Sequence, residues 1–115
     1  MLALNRVIVF SSDVEKSASF YQTMFGFTAL PSDYPASEWL ELETGGCRIA
    51  FHKAYEKGGG ACAHKLVFFS DNPLAVRDEL IAKGANMLEA KQFGDLILCD
   101  GVDIDGNRFQ ISNRD

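Results

Sequence analysis

His52 and His64 are the two histidines of the chain. An unperturbed imidazole titrates near neutral pH, so either has the chemistry of a general acid or base. On a strand each has equally the ordinary reading of a structural or rim group. Lys65, beside His64, is a third candidate base. Cys47, Cys62 and Cys99 are odd in number and never at CxxC spacing. That pattern speaks against a disulfide framework and against a structural zinc site; reduced thiols are expected, two of them inside strands. Asp100, Asp103 and Asp105 crowd one segment but lack the ligand series and closing glutamate of a calcium hand. That segment reads as a solvated turn. Tyr34, Trp39 and Phe93 have two readings, core packing or an aromatic wall over a flat ligand.

A repeat must position these groups. Asp13 is followed thirteen residues later by Gly26, and Asp71 and Gly84 repeat that spacing 58 residues on. Gly46-Cys47-Arg48-Ile49-Ala50-Phe51 aligns with Gly106-Asn107-Arg108-Phe109-Gln110-Ile111 at an offset of 60. Each copy reads as strand, helix and three further strands. Val7-Ile8-Val9-Phe10 and Leu66-Val67-Phe68-Phe69 are compact apolar runs, expected as buried strands. Ser12 or Asp13 caps the first helix, and Val14, Ala18, Tyr21 and Phe25 share one of its faces. Asn72 caps the second, with Pro73 at its first position. The later strands are expected at 27–30, 38–43 and 47–53, then at 86–90, 95–99 and 107–112. Arg48 and Arg108 hold equivalent positions and alternate with Ile49 and Phe109, so they point away from the layer those residues pack into. Phe93 is expected to match the Tyr34–Trp39 region.

The chain has 115 residues, the size of one ordinary domain. We divide it into repeat one (1–56), a glycine-rich joint (57–60) and repeat two (61–115). Eleven basic and sixteen acidic residues give a net charge of −5, which disfavours non-specific binding to nucleic acid. No apolar run approaches the ~18 residues of a membrane span. The first residues lack the charged region and apolar stretch of a signal peptide, so a cytoplasmic protein is expected. A unit of one helix on one sheet leaves the other sheet face wet and apolar. Two such units are expected to build an α+β fold: two βαβββ repeats forming a curved mixed sheet around a concave cavity, with the helices outside.

Asp13-Val14-Glu15-Lys16-Ser17-Ala18-Ser19-Phe20-Tyr21 running into Phe25-Gly26-Phe27, together with Asp105-Gly106-Asn107-Arg108-Phe109-Gln110, resembles the vicinal oxygen chelate superfamily. That superfamily includes glyoxalase I, bleomycin-resistance proteins and ring-cleaving dioxygenases. Ile104 stands where the superfamily's closing turn has proline. The resemblance implies metal-ligand positions on the first and last strands of each repeat. Here they fall on Arg6, Ala50, Lys65 and Gln110, none of them a usual ligand for a divalent metal. An offset of 58 pairs Arg6 with His64 instead, and a bulge would then turn His64 inward.

No metal and no cofactor are therefore expected. The expectation is a small-molecule-binding protein of the glyoxalase/bleomycin-resistance type, acting as a homodimer. Its ligand would be anionic or oxygen-rich, held by Arg6, Trp39, Arg48, Lys65, Phe93, Arg108 and Gln110. The competing expectation is a lyase or isomerase on a small oxygenated substrate, with His64, Lys65 or His52 as base and Arg6 or Arg48 stabilising an enolate-like charge. Glyoxalase I activity is not expected, because the metal-ligand positions are not retained.

Overall fold

A computed structural model describes residues 3–54 and 64–114. It resolves into two compact units, Met1–Gly60 and Ala61–Asp115. The glycine-rich segment 57–60 and Cys62 lie outside the described residues.

In the first unit, β1 (Arg6–Ser11) leads into α1 (Val14–Phe25), then β2 (Thr28–Ala29), β3 (Trp39–Glu43) and β4 (Arg48–Lys53). The sheet order is β1-β4-β3-β2, with β1 and β4 parallel and the other pairs antiparallel. Asp13 caps α1, its carboxylate accepting from the Lys16 N–H at 3.1 Å. Beneath it the Ser11 and Ser17 hydroxyls meet at 2.6 Å, so two polar groups buried at the strand–helix junction satisfy each other. Gly26 ends the helix at φ 72°, a left-handed conformation that costs glycine little. Val14, Ala18 and Tyr21 face the sheet, and the Tyr21 ring packs on Phe51 with centroids 5.4 Å apart. Burying side chains of that size stabilises by roughly 1.5–3 kcal/mol each, which explains why α1 keeps to the face that carries Leu42, Ile49 and Phe51.

The second unit repeats the plan with β5 (Leu66–Phe69), α2 (Pro73–Ala82), β6 (Asn86–Met87), β7 (Lys91–Phe93), β8 (Leu96–Val102) and β9 (Arg108–Ser112). Its order is β5-β9-β8-β6, with β7 also pairing β8. Asn72 caps α2 by accepting from the Ala75 N–H at 3.2 Å. The α+β character and the βαβββ plan stand as expected, with β7 as an addition: four strands follow α2 where three were expected.

Strand register aligns the repeats. Arg6 pairs with Arg48, and Leu66 pairs with Phe109 where Val7 pairs with Ile49. Lys65, not His64, therefore matches Arg6, and the constant offset of 58 gives way to 59 in the first strand. Glu41 faces Ala50 as Asp100 faces Gln110, and Leu42 faces Ile49 as Gly101 faces Phe109. The last pair is a trade of volume. Phe109 leans over Gly101, where the first repeat fills the same layer with leucine and isoleucine.

Several local expectations are corrected. The first strand of each unit is not buried on both faces: Ile8 is 46% exposed and Phe10 55%, and Val67 and Phe69 are exposed likewise. The helix covers only one face of each sheet, so alternate residues stay outside. The strand placed at 95–99 continues to Val102, which takes Asp100 out of the supposed turn. Asp103 is not solvated: it is buried and accepts from the Asp105 and Asn107 N–H groups at 2.9 and 2.8 Å. Cys99 lies in β8, but Cys47 precedes β4.

Candidate functional site

The sheet face opposite the helix carries the polar chemistry in both units. In the first, alternation brings Arg6 of β1, Trp39, Glu41 and Glu43 of β3, and Arg48 and His52 of β4 to that face. Glu41 binds Arg6 through both carboxylate oxygens, Oε2 to Nε and Oε1 to Nη2, the second contact at 3.0 Å. Arg48 Nη1 lies 3.7 Å from the same carboxylate, and its Nε 3.2 Å from Glu43. The hydrogen bond from Arg6 holds the Glu41 carboxyl below its ordinary range against the cost of burial, aided by the charges of Arg6 and Arg48.

Above this pair opens a slot of about 960 Å³, comparable to small-molecule pockets generally. One wall is the loop from Pro31 to Pro35; the other is Trp39, His52 and the Arg6–Glu41 pair, with Glu38 at the edge. The two prolines keep the loop out of regular structure, and Pro35 O accepts from the Glu38 and Trp39 N–H groups at 2.9 and 3.1 Å, tying the loop to the start of β3. Tyr34 is held by a hydrogen bond from its own N–H to Ser32 Oγ at 3.0 Å. Its ring stands 6.4 Å from Trp39, and the His52 ring meets Trp39 edge-on at 5.9 Å. His52 Nδ1 is 2.8 Å from the Lys53 carbonyl oxygen, which can only accept, so that nitrogen carries the proton.

In the second unit the equivalent face holds Lys65, Asp100, Arg108 and Gln110. Asp100 is the hub: Lys65 Nζ lies 2.7 Å away, Gln110 Nε2 donates at 2.9 Å, and Arg108 Nη1 is at 3.6 Å. Burial pushes the Asp100 carboxyl up, but the bonds from Lys65 and Gln110 and the charges of Lys65 and Arg108 outweigh it and hold the group low. Beside the hub is a cavity of about 150 Å³, closed on its other side by Leu88, Glu89, Lys91 and Leu98.

The structure thus brings Arg6, Trp39 and His52 together in one unit, and Lys65, Arg108 and Gln110 in the other. Arg48 joins the first group through Glu41 without lining the slot. Phe93 joins neither. It lies on β7, which has no counterpart among the described residues of the first unit, and register gives Leu98 as the match of Trp39. His64 precedes β5, is exposed, and does not line the cavity. Sequence reasoning missed Glu41 and Asp100, the carboxylates that organise both clusters. The alternation Trp39-Leu40-Glu41-Leu42-Glu43 was the available signal for Glu41.

The residues at the superfamily's ligand positions do not suit a metal. Arg6 has no lone pair to give and is occupied by Glu41. Ala50 has no donor atom, Lys65 is paired with Asp100, and the Gln110 amide nitrogen is committed to the same carboxylate. Among the described residues, no three His, Cys, Asp or Glu side chains gather into a group able to hold an ion.

The sequence matches the glyoxalase-like domain family over residues 6–112, nearly its whole length, and the chain belongs to that family. The fold is shared with a glyoxalase/bleomycin resistance protein/dioxygenase family enzyme from Burkholderia phytofirmans PsJN, at 24% identity and TM-score 0.79, covering 96% of this chain and 98% of that one. TioX from Micromonospora sp. ML1 matches at 18% identity and TM-score 0.74, covering 96% and 97%. The virulence protein STM3117 from Salmonella typhimurium matches at 19% identity and TM-score 0.73, covering 97% and 96%. No curated protein shares detectable sequence similarity with the chain. No described helix is long and apolar enough to cross a membrane.

Proposed function

We propose that this protein binds a small organic molecule without the help of a metal ion, using the slot of its first unit. The observation that carries the reading is the bidentate Arg6–Glu41 pair beneath an aromatic wall. A guanidinium locked by a carboxylate forms a rigid polar floor, and Trp39 and Tyr34 supply contact area. The basic and amide side chains by themselves suit an anionic or an oxygen-rich ligand. Glu41 and Asp100 offset much of their charge, so the faces suit an oxygen-bearing partner that takes hydrogen bonds better than a strongly anionic one. A second copy of the chain is the partner that fits the exposed strips Ile8–Phe10 and Val67–Phe69. They lie on β1 and β5, strands at the ends of their sheets, and bare apolar side chains there favour burial.

Trp39 is the chain's one tryptophan, so its indole N–H resonance reports on the slot alone. A screen of small aromatic and oxygenated compounds is expected to yield molecules that shift that resonance saturably. Tyr34→Ala, at an exposed position, is expected to weaken them. If no compound moves the Trp39 resonance at millimolar concentration, the reading is wrong.

A further inference from the structure

We infer that the cavity of the second unit binds a small monocarboxylate. The inference goes beyond the reading of the slot and does not depend on it. A comparison of the two repeats carries it. In the first unit Arg48 is held by two carboxylates, 3.7 Å from Glu41 and 3.2 Å from Glu43. Register matches Glu41 with Asp100 and Arg48 with Arg108, so Glu43 corresponds to Val102. The second unit keeps the inner carboxylate and has an apolar side chain in place of the outer one. Arg108 therefore retains only Asp100, at 3.6 Å, beyond hydrogen-bond length. Its guanidinium donates no hydrogen bond to a described residue.

The same comparison adds a cation. Strand β7 sets Lys91 opposite Leu98, on the cavity side of β8. Lys91 makes no ion pair with a described residue. Lys65, Lys91 and Arg108 thus border the cavity against Asp100 and Glu89, a surplus of one positive charge. Asp100 is already engaged by Lys65 and Gln110. The Lys65 ammonium gives Asp100 one of its three protons, so its other N–H groups, the Arg108 fork and Lys91 are left to meet oxygen atoms from outside. The cavity, about 150 Å³, has the volume of roughly five waters, room for a carboxylate on a short chain. Attraction to the surplus charge grows in proportion to the charge of the ligand, while the cost of stripping its water grows with the square. A second negative charge would also face Asp100 and Glu89. A single carboxylate matches the surplus, and its planar oxygens match the Arg108 fork.

Glycolate, its neutral amide glycolamide and inorganic phosphate are probes of similar size. Binding is read by 1H–15N titration at low salt and about pH 7.5, followed at the Gln110 side-chain amide. Glycolate is expected to bind roughly fivefold tighter than glycolamide, the gap closing as salt is raised, and to bind more tightly than phosphate. Val102→Glu rebuilds around Arg108 the arrangement that Glu43 gives Arg48, and is expected to remove the preference for glycolate. Arg108→Gln, at a half-exposed side chain, is expected to weaken glycolate about fivefold while the rest of the spectrum stays in place. Equal binding of glycolate and glycolamide overturns the inference. So does a preference that survives both variants, or the absence of any shift at high millimolar glycolate. Phosphate binding more tightly than glycolate overturns the choice of a carboxylate. None of these results touches the slot, whose test is the Trp39 resonance.

Discussion

Gly101 offers the sharpest test of how the second unit is packed. A Cβ at that position would lie 2.4 Å from Phe109 Cζ, 2.8 Å from its Cε2 and 2.6 Å from Met87 Sδ. The Met87 thioether can turn aside. The Phe109 ring is fully buried and has nowhere to go. Gly101→Ala is therefore expected near the upper end of the overpacking range, about 3 kcal/mol. With a urea dependence of ~2 kcal/mol/M for a chain of this size, the midpoint falls by about 1.5 M. Phe109→Ile alone opens a void and is expected to cost roughly 2 kcal/mol. Combined, the two changes move the layer toward the Leu42–Ile49 solution of the first unit, so the double variant is expected to be at least ~1 kcal/mol more stable than additivity allows. Urea melts of the four proteins measure this directly. A neutral Gly101→Ala, or strict additivity, would refute the claim that the repeats solve one packing problem by exchanging volume between facing strands.

Other consequences are open to measurement. Glu41 and Asp100 are held below their ordinary values of 4.5 and 3.8. Their stabilisation is therefore complete above about pH 5 and is lost as pH falls through those values toward the depressed folded ones. Thermal melts from pH 7 down to pH 3 should show a Tm decline that Glu41→Gln and Asp100→Asn each make shallower. Burial pushes the Cys99 thiol up, and its Sγ donates to the Pro73 carbonyl oxygen at 3.7 Å. Mass-spectrometric mapping of alkylation is expected to find Cys99 modified only as fast as the protein opens, and Cys47 much sooner. Removing the α1 cap with Asp13→Ala is expected to cost about 1 kcal/mol in a urea melt.

The duplication was legible because local chemistry writes it. Asp13 and Asn72 cap, Gly26 and Gly84 close, and the apolar runs 7–10 and 66–69 mark the leading strands. The faces of those strands were harder to read, because a continuous apolar run does not say which side the helix covers; Ile8 and Phe10 turned out to lie on the uncovered side. β8 was cut short because Asp100-Gly101 reads locally as a turn, and only its pairing with Gln110 and Phe109 shows it to be strand. Phe93 was misplaced because β7 breaks the repeat. Glu41 and Asp100 escaped notice for a related reason: a carboxylate alternating with leucines, or beside a glycine, looks solvated until the neighbouring strand brings arginine or lysine against it.

The central claim is that none of the four positions where metal-dependent relatives would hold an ion keeps a usual metal ligand: Arg6 and Lys65 are paired with carboxylates, and Ala50 and Gln110 fill the other two. The melting temperature of chelator-treated protein, taken with and without excess nickel, zinc or manganese, addresses it most directly. An ion at a hundred times its dissociation constant stabilises a native site by about 2.7 kcal/mol, which corresponds to a rise of roughly 10 °C for a domain of this size. The account predicts no rise with any of the three. A rise of that order, with one ion bound per chain, would contradict it.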